Sequence, residues 1–200
     1  MSVTFERVEF SDLVLVRHGQ SSWNELRLVQ GQNDEARLTE KGRDQALRAA
    51  GELRAEHFDR IISSDLTRTV QTAEIIAEVL GLEIELDVNL RERSYGTAEG
   101  GSLDAITAAM VGVSDGVIVD EEARAPGGES LRALRERAGH FVRESSERWP
   151  EERLLVVTHG GTIRAIRSYC AGTPMQGSEW DAVANCTIWA VSRPKDATGS

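Results

Sequence analysis

Apolar residues in this chain fall into short continuous runs, and between the runs they recur at helical spacing. Three runs have the length of buried strands: Leu13 to Val16, Arg60 to Ile62 and Leu154 to Val157. A last strand is predicted from Cys186 to Val191. The unbroken apolar character of the runs favours strands that are covered on both faces.

Long helices are predicted between these runs. The first extends from Thr39, as N-cap, to about residue 56. The second begins at Asp65 as N-cap and ends where Gly81 can adopt a left-handed cap. The third begins near Ser130. Each helix carries its apolar side chains on one stripe, so each has a face to bury.

Strands that alternate with helices of this length predict an α/β fold, a three-layer sandwich with a mainly parallel sheet and helices on both faces. We expect a single domain over residues 1–193 and a flexible tail at 194–200. Residues 94–127 fit this rhythm worst because they are rich in Gly, Ser and Asp, and we interpret them as a lid-like segment.

The net charge of the chain makes some classes of binding partner unfavourable. The 23 basic and 33 acidic residues give a formal net charge of −10, which disfavours nucleic acid and membrane surfaces. The same field repels an anionic small substrate, so a phosphate site needs local positive potential from arginines and helix N-termini. Only two cysteines are present, and the first ten residues contain no long apolar stretch, so a cytoplasmic location is expected.

Two of the predicted strands end alike, in a histidine followed by glycine. His18, preceded by Arg17, follows the first strand, and His159 follows the strand at Leu154 to Val157. Ligands bind at the carboxyl ends of strands in an open α/β sheet, so the two histidines could share one crevice. A neutral imidazole can attack phosphorus, an arginine can pair with two phosphoryl oxygens, and a second histidine, protonated by the bound anion, would add charge. Either histidine motif alone is also typical of an ordinary strand end.

A second arginine strengthens the interpretation as a phosphate site. Arg68 lies in the first turn of the second predicted helix, where the helix dipole also favours an anion. Two arginines, two histidines and helix starts at one edge of a sheet are harder to attribute to chance than any one of them.

Six blocks of sequence, in order along the chain, carry a resemblance to a known family. The sequence resembles the histidine phosphatase superfamily, also called phosphoglycerate-mutase-like, in its phosphatase branch. The similarity runs from about Leu13 to Val191. The blocks are VRHGQSSWN (16–24), QGQNDEARLTEKG (30–42), SSDLTRTVQTA (63–73), LRERSYGTAEG (90–100), PGGES (126–130) and VVTHGGTIRA (156–165).

The resemblance implies a role for each catalytic candidate. His18 is the expected nucleophile, which becomes phosphorylated, and Arg17, Arg68 and His159 are expected to bind the phosphoryl oxygens. Glu92 matches the family's proton donor. One carboxyl group can serve both halves of the reaction, because the leaving alkoxide needs a proton and the attacking water must later lose one. No metal and no cofactor are implied.

Four further residues match substrate-binding positions of the family. Asn24 and the backbone of Gly160 are expected as secondary phosphate contacts, and Gln30 and Gly31 lie where the family lines the mouth of the pocket. One departure concerns the pocket wall: the family often has tryptophan where this chain has Ala98, so substrate assignments that depend on that aromatic ring do not transfer.

Glu99 and Glu129 are rivals to Glu92. Spacing alone does not exclude them as the proton donor, and only the resemblance ranks Glu92 first.

The predicted activity is metal-independent hydrolysis of a small phosphorylated metabolite through phosphohistidine. A phosphoglycerate-type mutase is the main alternative, but it needs extra cations above the pocket. Between Ser94 and Ala125 this chain has one basic residue, Arg124, against six acidic ones. A non-catalytic module that binds a phosphorylated ligand is a third option, and a metal site at the two histidines ranks last. The identity of the phosphomonoester and the oligomeric state stay open, with a homodimer as one option.

Overall fold

A computed structural model describes most of the chain: residues 12–102, 113–114, 117–118, 120–122, 124–175 and 183–191. The predicted tail at 194–200 and a large part of the predicted lid-like segment at 94–127 lie outside the described residues. Within the described part, no helix is both long and apolar enough to cross a membrane.

The described elements alternate between strands and helices. The strands are β1 (Leu13–Arg17), β2 (Arg60–Ser63), β3 (Ile84–Leu86), β4 (Val113–Ser114), β5 (Val117–Ile118), β6 (Leu154–Thr158) and β7 (Ile188–Val191). The α-helices are α1 (Ser22–Glu25), α2 (Glu40–Leu53), α3 (Thr67–Leu80), α4 (Leu131–Arg148) and α5 (Gly160–Ala171). Two short 3₁₀ turns lie at Val88–Leu90 and Gly96–Ala98.

Five strands form one sheet in the order β3-β2-β6-β1-β7. The first four are mutually parallel, and β7 pairs antiparallel with β1 at one edge. The short pair β4 and β5 forms a separate antiparallel ribbon. The prediction of an α/β fold with a mainly parallel sheet is therefore confirmed.

Alternate residues of the central strands bury themselves on opposite faces of the sheet. On one face, Leu15 and Val156 pack in a cluster with side chains of α4 and α5, including Phe141. On the other face, Val16 and Val157 pack in a second cluster with side chains of α2 and α3. Both faces of the central strands are thus covered, which explains why their sequences are apolar without alternation.

The predicted helix starts are confirmed where the N-cap residue bonds to an amide of its own first turn. Thr39 caps α2 by accepting a hydrogen bond from Gly42 N at 3.1 Å, and Ser130 caps α4 by accepting one from Ala133 N at 3.1 Å. The prediction that Asp65 caps the second helix is wrong. Asp65 pairs with an arginine instead, and the first amide of α3 donates to a carboxylate from a distant loop.

Other boundaries shift by a few residues. Helix α2 ends at Leu53, earlier than predicted, whereas Gly81 adopts the expected left-handed cap with φ 70°. Strand β7 begins at Ile188 because Cys186 lies in a turn with φ 56°. Strand β3 was not predicted, since an apolar pattern of only three residues is too short to indicate a strand.

Candidate active site

Three neighbouring parallel strands end at the same edge of the sheet, and each is followed by a side chain of the candidate site. Ser64 follows β2, His159 follows β6 and His18 follows β1. Backbone hydrogen bonds fix their alignment: His18 N donates to Thr158 O at 2.9 Å, and Ser64 N donates to Val157 O at 3.0 Å. The ring centroids of the two histidines lie 5.2 Å apart, so the predicted shared crevice is present.

His18 is buried and held in one tautomer by the backbone. Its Nδ1 lies 2.8 Å from Gly19 O, and a carbonyl oxygen can only accept, so Nδ1 carries the proton. The Nε2 atom of the neutral ring therefore keeps a lone pair. The loop is fixed from both sides, since Gly19 N donates to Thr72 Oγ1 at 3.1 Å and Asn185 Nδ2 donates to His18 O at 2.9 Å.

Both histidines are neutral in the free site. Burial lowers the pKa of His18 and of His159 well below the ordinary value, and the Arg68 guanidinium acts in the same direction on each. The expectation that a bound anion protonates His159 concerns the occupied site and stays a prediction. His159 Nε2 lies 3.0 Å from the buried hydroxyl of Ser64.

Arg68 is fully buried and clamps the loop before α2 to the start of α3. Its guanidinium donates to Gly31 O at 2.7 Å and to Asn33 O at 3.0 Å. The same loop supplies the Asp34 carboxylate, which accepts from Thr67 N at 2.6 Å and caps α3. Burial lowers the pKa of Arg68 to about 10, so the side chain is still charged at neutral pH.

Several buried donors of the site have no partner. Arg17 donates through one terminal nitrogen to Val183 O, but its Nε has no hydrogen-bond partner within the described part of the chain. Arg68 Nε and His159 Nδ1 likewise have no hydrogen-bond partner among the described residues. A buried polar group without a partner is costly, so unpaired nitrogens that belong to three predicted phosphate-binding side chains indicate a ligand that accepts hydrogen bonds.

Glu92 lies at the start of α5, on the loop that follows the 3₁₀ turn at Val88–Leu90. Its carboxylate accepts from Gly161 N at 3.0 Å and from Arg93 N at 2.8 Å. A side chain at Gly161 would collide with the Glu92 carboxylate, which explains the glycine. Burial lowers the pKa of Arg17 and Arg68, and the Glu92 charge opposes both shifts, as expected of a carboxylate beside the two arginines.

The two rival carboxylates, Glu99 and Glu129, form contacts of their own. Glu99 Oε1 accepts from Gln32 N at 3.0 Å and Tyr95 N at 2.9 Å, joining two loops. Glu129 forms a half-buried ion pair with Arg137 at 2.8 Å. Glu92 also accepts two backbone hydrogen bonds, but of the three glutamates it is the one whose charge acts on both Arg17 and Arg68, which makes it the better candidate.

The four predicted substrate-binding residues surround the His18 loop. Asn24 Oδ1 accepts from Ser21 N at 3.1 Å in the cap of α1, and Gln30 Oε1 accepts from Ser21 Oγ at 2.7 Å. Gly31 has φ 50°, which favours glycine, and its carbonyl is held by Arg68. Gly160 is the first residue of α5, where helix amides are available to an anion.

Four residues around the site were not identified by the sequence analysis. Ser64 contacts His159, Thr72 and Asn185 hold the His18 loop, and Arg137 binds the Glu92 loop. Arg137 donates to the carbonyls of Asn89 at 2.6 Å, Arg91 at 2.8 Å and Glu92 at 3.3 Å. Ser64 and Thr72 lie within a block quoted above, but nothing local distinguishes them from neighbouring hydroxyls.

Within the described residues, no group of three or more His, Cys, Asp or Glu side chains is arranged to hold a metal ion.

Comparison with known proteins defines the class. Residues 13–198 match the histidine phosphatase superfamily (branch 1), so the chain belongs to that superfamily. One of its relatives is named as a mutase. The probable phosphoglycerate mutase GpmB of Salmonella choleraesuis is 37% identical over 175 residues, covering 87% of this chain and 81% of the relative.

Solved structures agree with the assignment. A mycobacterial glucosyl-3-phosphoglycerate phosphatase in complex with VO3 is 30% identical, with a TM-score of 0.75 and 90% of each chain covered. The phosphoserine phosphatase of Entamoeba histolytica in complex with 3-phosphoglyceric acid, at 24% identity, shares the fold, with a TM-score of 0.77 over 90% of this chain and 89% of that one.

Proposed function

We propose that this protein is a metal-independent phosphatase that hydrolyses a small phosphomonoester through a phosphohistidine at His18. The observation that carries the proposal is the set of buried nitrogens on Arg17, Arg68 and His159 that find no partner among the described residues, next to a histidine whose Nε2 keeps its lone pair. A phosphoryl group is a tetrahedral anion with several acceptor oxygens, so it satisfies these donors together.

In the first half-reaction, His18 Nε2 attacks phosphorus while the bond to the substrate oxygen breaks. The backbone bond at Nδ1 holds the ring in the attacking tautomer and stabilises the positive charge that develops on it. Arg17 and Arg68 supply positive charge to the phosphoryl oxygens, and the start of α5 adds its dipole. Glu92, as the carboxylic acid, gives its proton to the leaving alkoxide.

In the second half-reaction, water attacks the phosphorus of phosphohistidine. The Glu92 carboxylate, now deprotonated, accepts a proton from that water as the bond to Nε2 breaks. Inorganic phosphate leaves, and His18 returns to its neutral form. Arg137, Thr162 and Gly161 hold the Glu92 loop in place for both steps.

Hydrolysis is favoured over phosphoryl transfer between hydroxyls of one substrate. A mutase must retain an intermediate that carries an additional anionic group, which requires further cations around the pocket. The segment between Ser94 and Ala125 has one basic residue and six acidic ones. Its charge favours release of an anionic product to water.

Glu92→Gln is the variant that tests the mechanism. It keeps the size of the side chain but neither donates nor accepts the catalytic proton. With p-nitrophenyl phosphate, whose leaving group needs little protonation, we expect phosphohistidine to form and then to persist. Mass spectrometry under alkaline conditions would locate the phosphoryl group at His18. Glu99→Gln, which alters a rival carboxylate, should turn over and accumulate no intermediate.

Three results would contradict the proposal, the first two at the level of the mechanism and the third at the level of the reaction. One is active wild-type protein with no phosphohistidine in the wild type or in Glu92→Gln at any trapping time. The second is loss of activity in a chelator that zinc or magnesium restores, because the proposed site relies on guanidinium charge. Conversion of one phosphorylated hydroxy acid into its positional isomer, without phosphate release, would identify a mutase instead.

A further inference from the structure

Ser64 is a buried hydroxyl at the edge of the candidate site that the proposed reaction does not use. It follows β2, and its side chain is fully buried. Its Oγ lies 3.0 Å from His159 Nε2, and the distance in sequence between the two residues is 95 positions. The same Oγ accepts a hydrogen bond from Leu66 N at 3.3 Å.

The hydrogen-bond inventory of the hydroxyl determines the direction of the contact with His159. A serine hydroxyl has one proton and two lone pairs, and the amide of Leu66 occupies one lone pair. If His159 Nε2 donated, the Ser64 proton would have no acceptor within the described part of the chain. If Ser64 donates to Nε2, the Ser64 hydroxyl and Nε2 are both satisfied and only His159 Nδ1 is without a partner among the described residues, so burial favours that arrangement.

We infer that Ser64 is a positioning residue that fixes His159 in the tautomer with the proton on Nδ1. The inference rests on the proposed function, in which His159 binds a phosphoryl oxygen. A ring that accepts at Nε2 presents Nδ1–H, and this nitrogen is one of the buried atoms without a partner. His159 then donates a hydrogen bond to the anion through Nδ1–H.

Without this contact the ring has no reason to keep that tautomer. In Ser64→Ala, His159 Nε2 loses its donor, and the proton can move to Nε2, which leaves a lone pair on Nδ1. A lone pair facing a phosphoryl oxygen is repulsive, so anion binding should weaken. The neighbouring Ser63 offers a matched control because it is equally buried, yet its hydroxyl donates to Ser64 O at 2.9 Å.

The tautomer is measured directly by ¹⁵N NMR of histidine-labelled protein. The chain has four histidines, and a His159→Asn spectrum assigns the signal of interest by difference. In the free wild type and in Ser63→Ala, we expect His159 to be neutral with its proton on Nδ1. In Ser64→Ala, we expect a shift of the population toward the Nε2–H form.

Binding of inorganic phosphate provides the second measurement. Ser64→Ala should raise the dissociation constant about tenfold to a hundredfold, as expected for loss of a hydrogen bond to a charged ligand, whereas Ser63→Ala should change it by less than about twofold. The wild-type tautomer is measured on unaltered protein, and only the assignment of its signal uses His159→Asn. A proton on His159 Nε2 in wild type would overturn the role of Ser64.

Different results would contradict the phosphatase proposal and the positioning role of Ser64. If wild type binds phosphate and forms phosphohistidine, but His159 carries its proton on Nε2, the phosphatase stands and Ser64 has no positioning role. If the Nδ1–H tautomer is observed but no phosphohistidine forms, the mechanism at His18 is wrong while the Ser64 contact remains.

Discussion

The loops that follow β1 and β6 resemble each other in sequence, yet they prepare their histidines for opposite tasks. Each strand ends in a histidine that is followed by glycine, and both rings are buried and neutral. His18 bonds through Nδ1 to the carbonyl of the next residue, so its Nε2 keeps a lone pair. His159 is bonded through Nε2 to Ser64, and its Nδ1 has no partner in the part of the chain that the structure describes.

The difference arises from what each ring contacts. The partner of His18 is adjacent in sequence, so the motif itself contains the information for a nucleophile. The partner of His159 comes from the end of another strand, and only the alignment of β2 with β6 brings it close. In the proposed mechanism, similar local sequences thus give one ring that attacks and one that donates a hydrogen bond.

Replacing each histidine in turn should separate the two tasks most strongly. His18→Ala removes the attacking nitrogen, so kcat should fall by roughly 10⁴-fold or more and no phosphohistidine should form. His159→Gln removes one donor to the phosphoryl group, so kcat should fall by about 10²- to 10³-fold, with phosphohistidine still detectable. Steady-state kinetics and alkaline mass spectrometry measure both effects. Equal losses in the two variants, with phosphohistidine at neither, would contradict the division of roles.

The sequence predicts the parts of the site that local chemistry determines. The apolar stripes of the helices and the caps at Thr39 and Ser130 depend on neighbours within a few residues, and these predictions are confirmed. The predicted strands β1, β2 and β6 are present, each one residue longer than predicted. The predicted cap at Asp65 is wrong because Asp34, 33 positions before Thr67, accepts from the Thr67 amide at the start of α3. Asn185 escaped notice for the same reason, since it contacts His18 across 167 positions.

The neutral state of both rings should appear as a pH dependence of stability. The unfolded chain takes up a proton on each histidine below about pH 6.5, whereas the folded chain resists protonation because burial lowers both pKa values. Stability is therefore full above pH 6.5 and falls as the pH drops toward the folded pKa values. Between pH 7.5 and 5.5 the free energy of unfolding should decrease by about 3 kcal/mol, or about 1.4 kcal/mol per ring.

Urea unfolding at the two pH values measures this decrease. In His159→Gln the decrease should be about half as large, because one neutral ring is left. The double variant His57→Gln/His140→Gln is the control, since both of those side chains are largely exposed and it should retain the wild-type decrease. Asp65 titrates below this range, because its hydrogen bond with Arg91 lowers its pKa. Identical stability of wild type at pH 7.5 and 5.5 would rule out the neutral buried pair.

Two threonines on α3 allow a comparison of the hydrogen bonds that hold the His18 loop and the backbone at Ser64. Both are fully buried, and valine has nearly the same shape as threonine without the hydroxyl. Thr72 Oγ1 accepts from Gly19 N at 3.1 Å, on the His18 side. Thr69 Oγ1, on the His159 side, shares its one proton between Leu66 O at 2.6 Å and Ser64 O at 3.0 Å. The first contact satisfies an amide, and the second adds to a carbonyl that also accepts from Ser63 Oγ.

Thr72→Val should therefore cost more than Thr69→Val. The first change leaves the buried amide of Gly19 without an acceptor, so the free energy of unfolding should fall by about 1–3 kcal/mol. The second leaves a carbonyl that keeps another donor, so the loss should be about 1 kcal/mol or less. Because Gly19 O also holds His18 Nδ1, Thr72→Val should lower kcat several-fold while the KM changes little. Urea unfolding and steady-state kinetics at pH 7.5 provide the comparison. If Thr69→Val were the more damaging variant in both measurements, the His18 loop would not depend on its amide anchor, and the backbone contact at Nδ1 would have to be held in place by Asn185 alone.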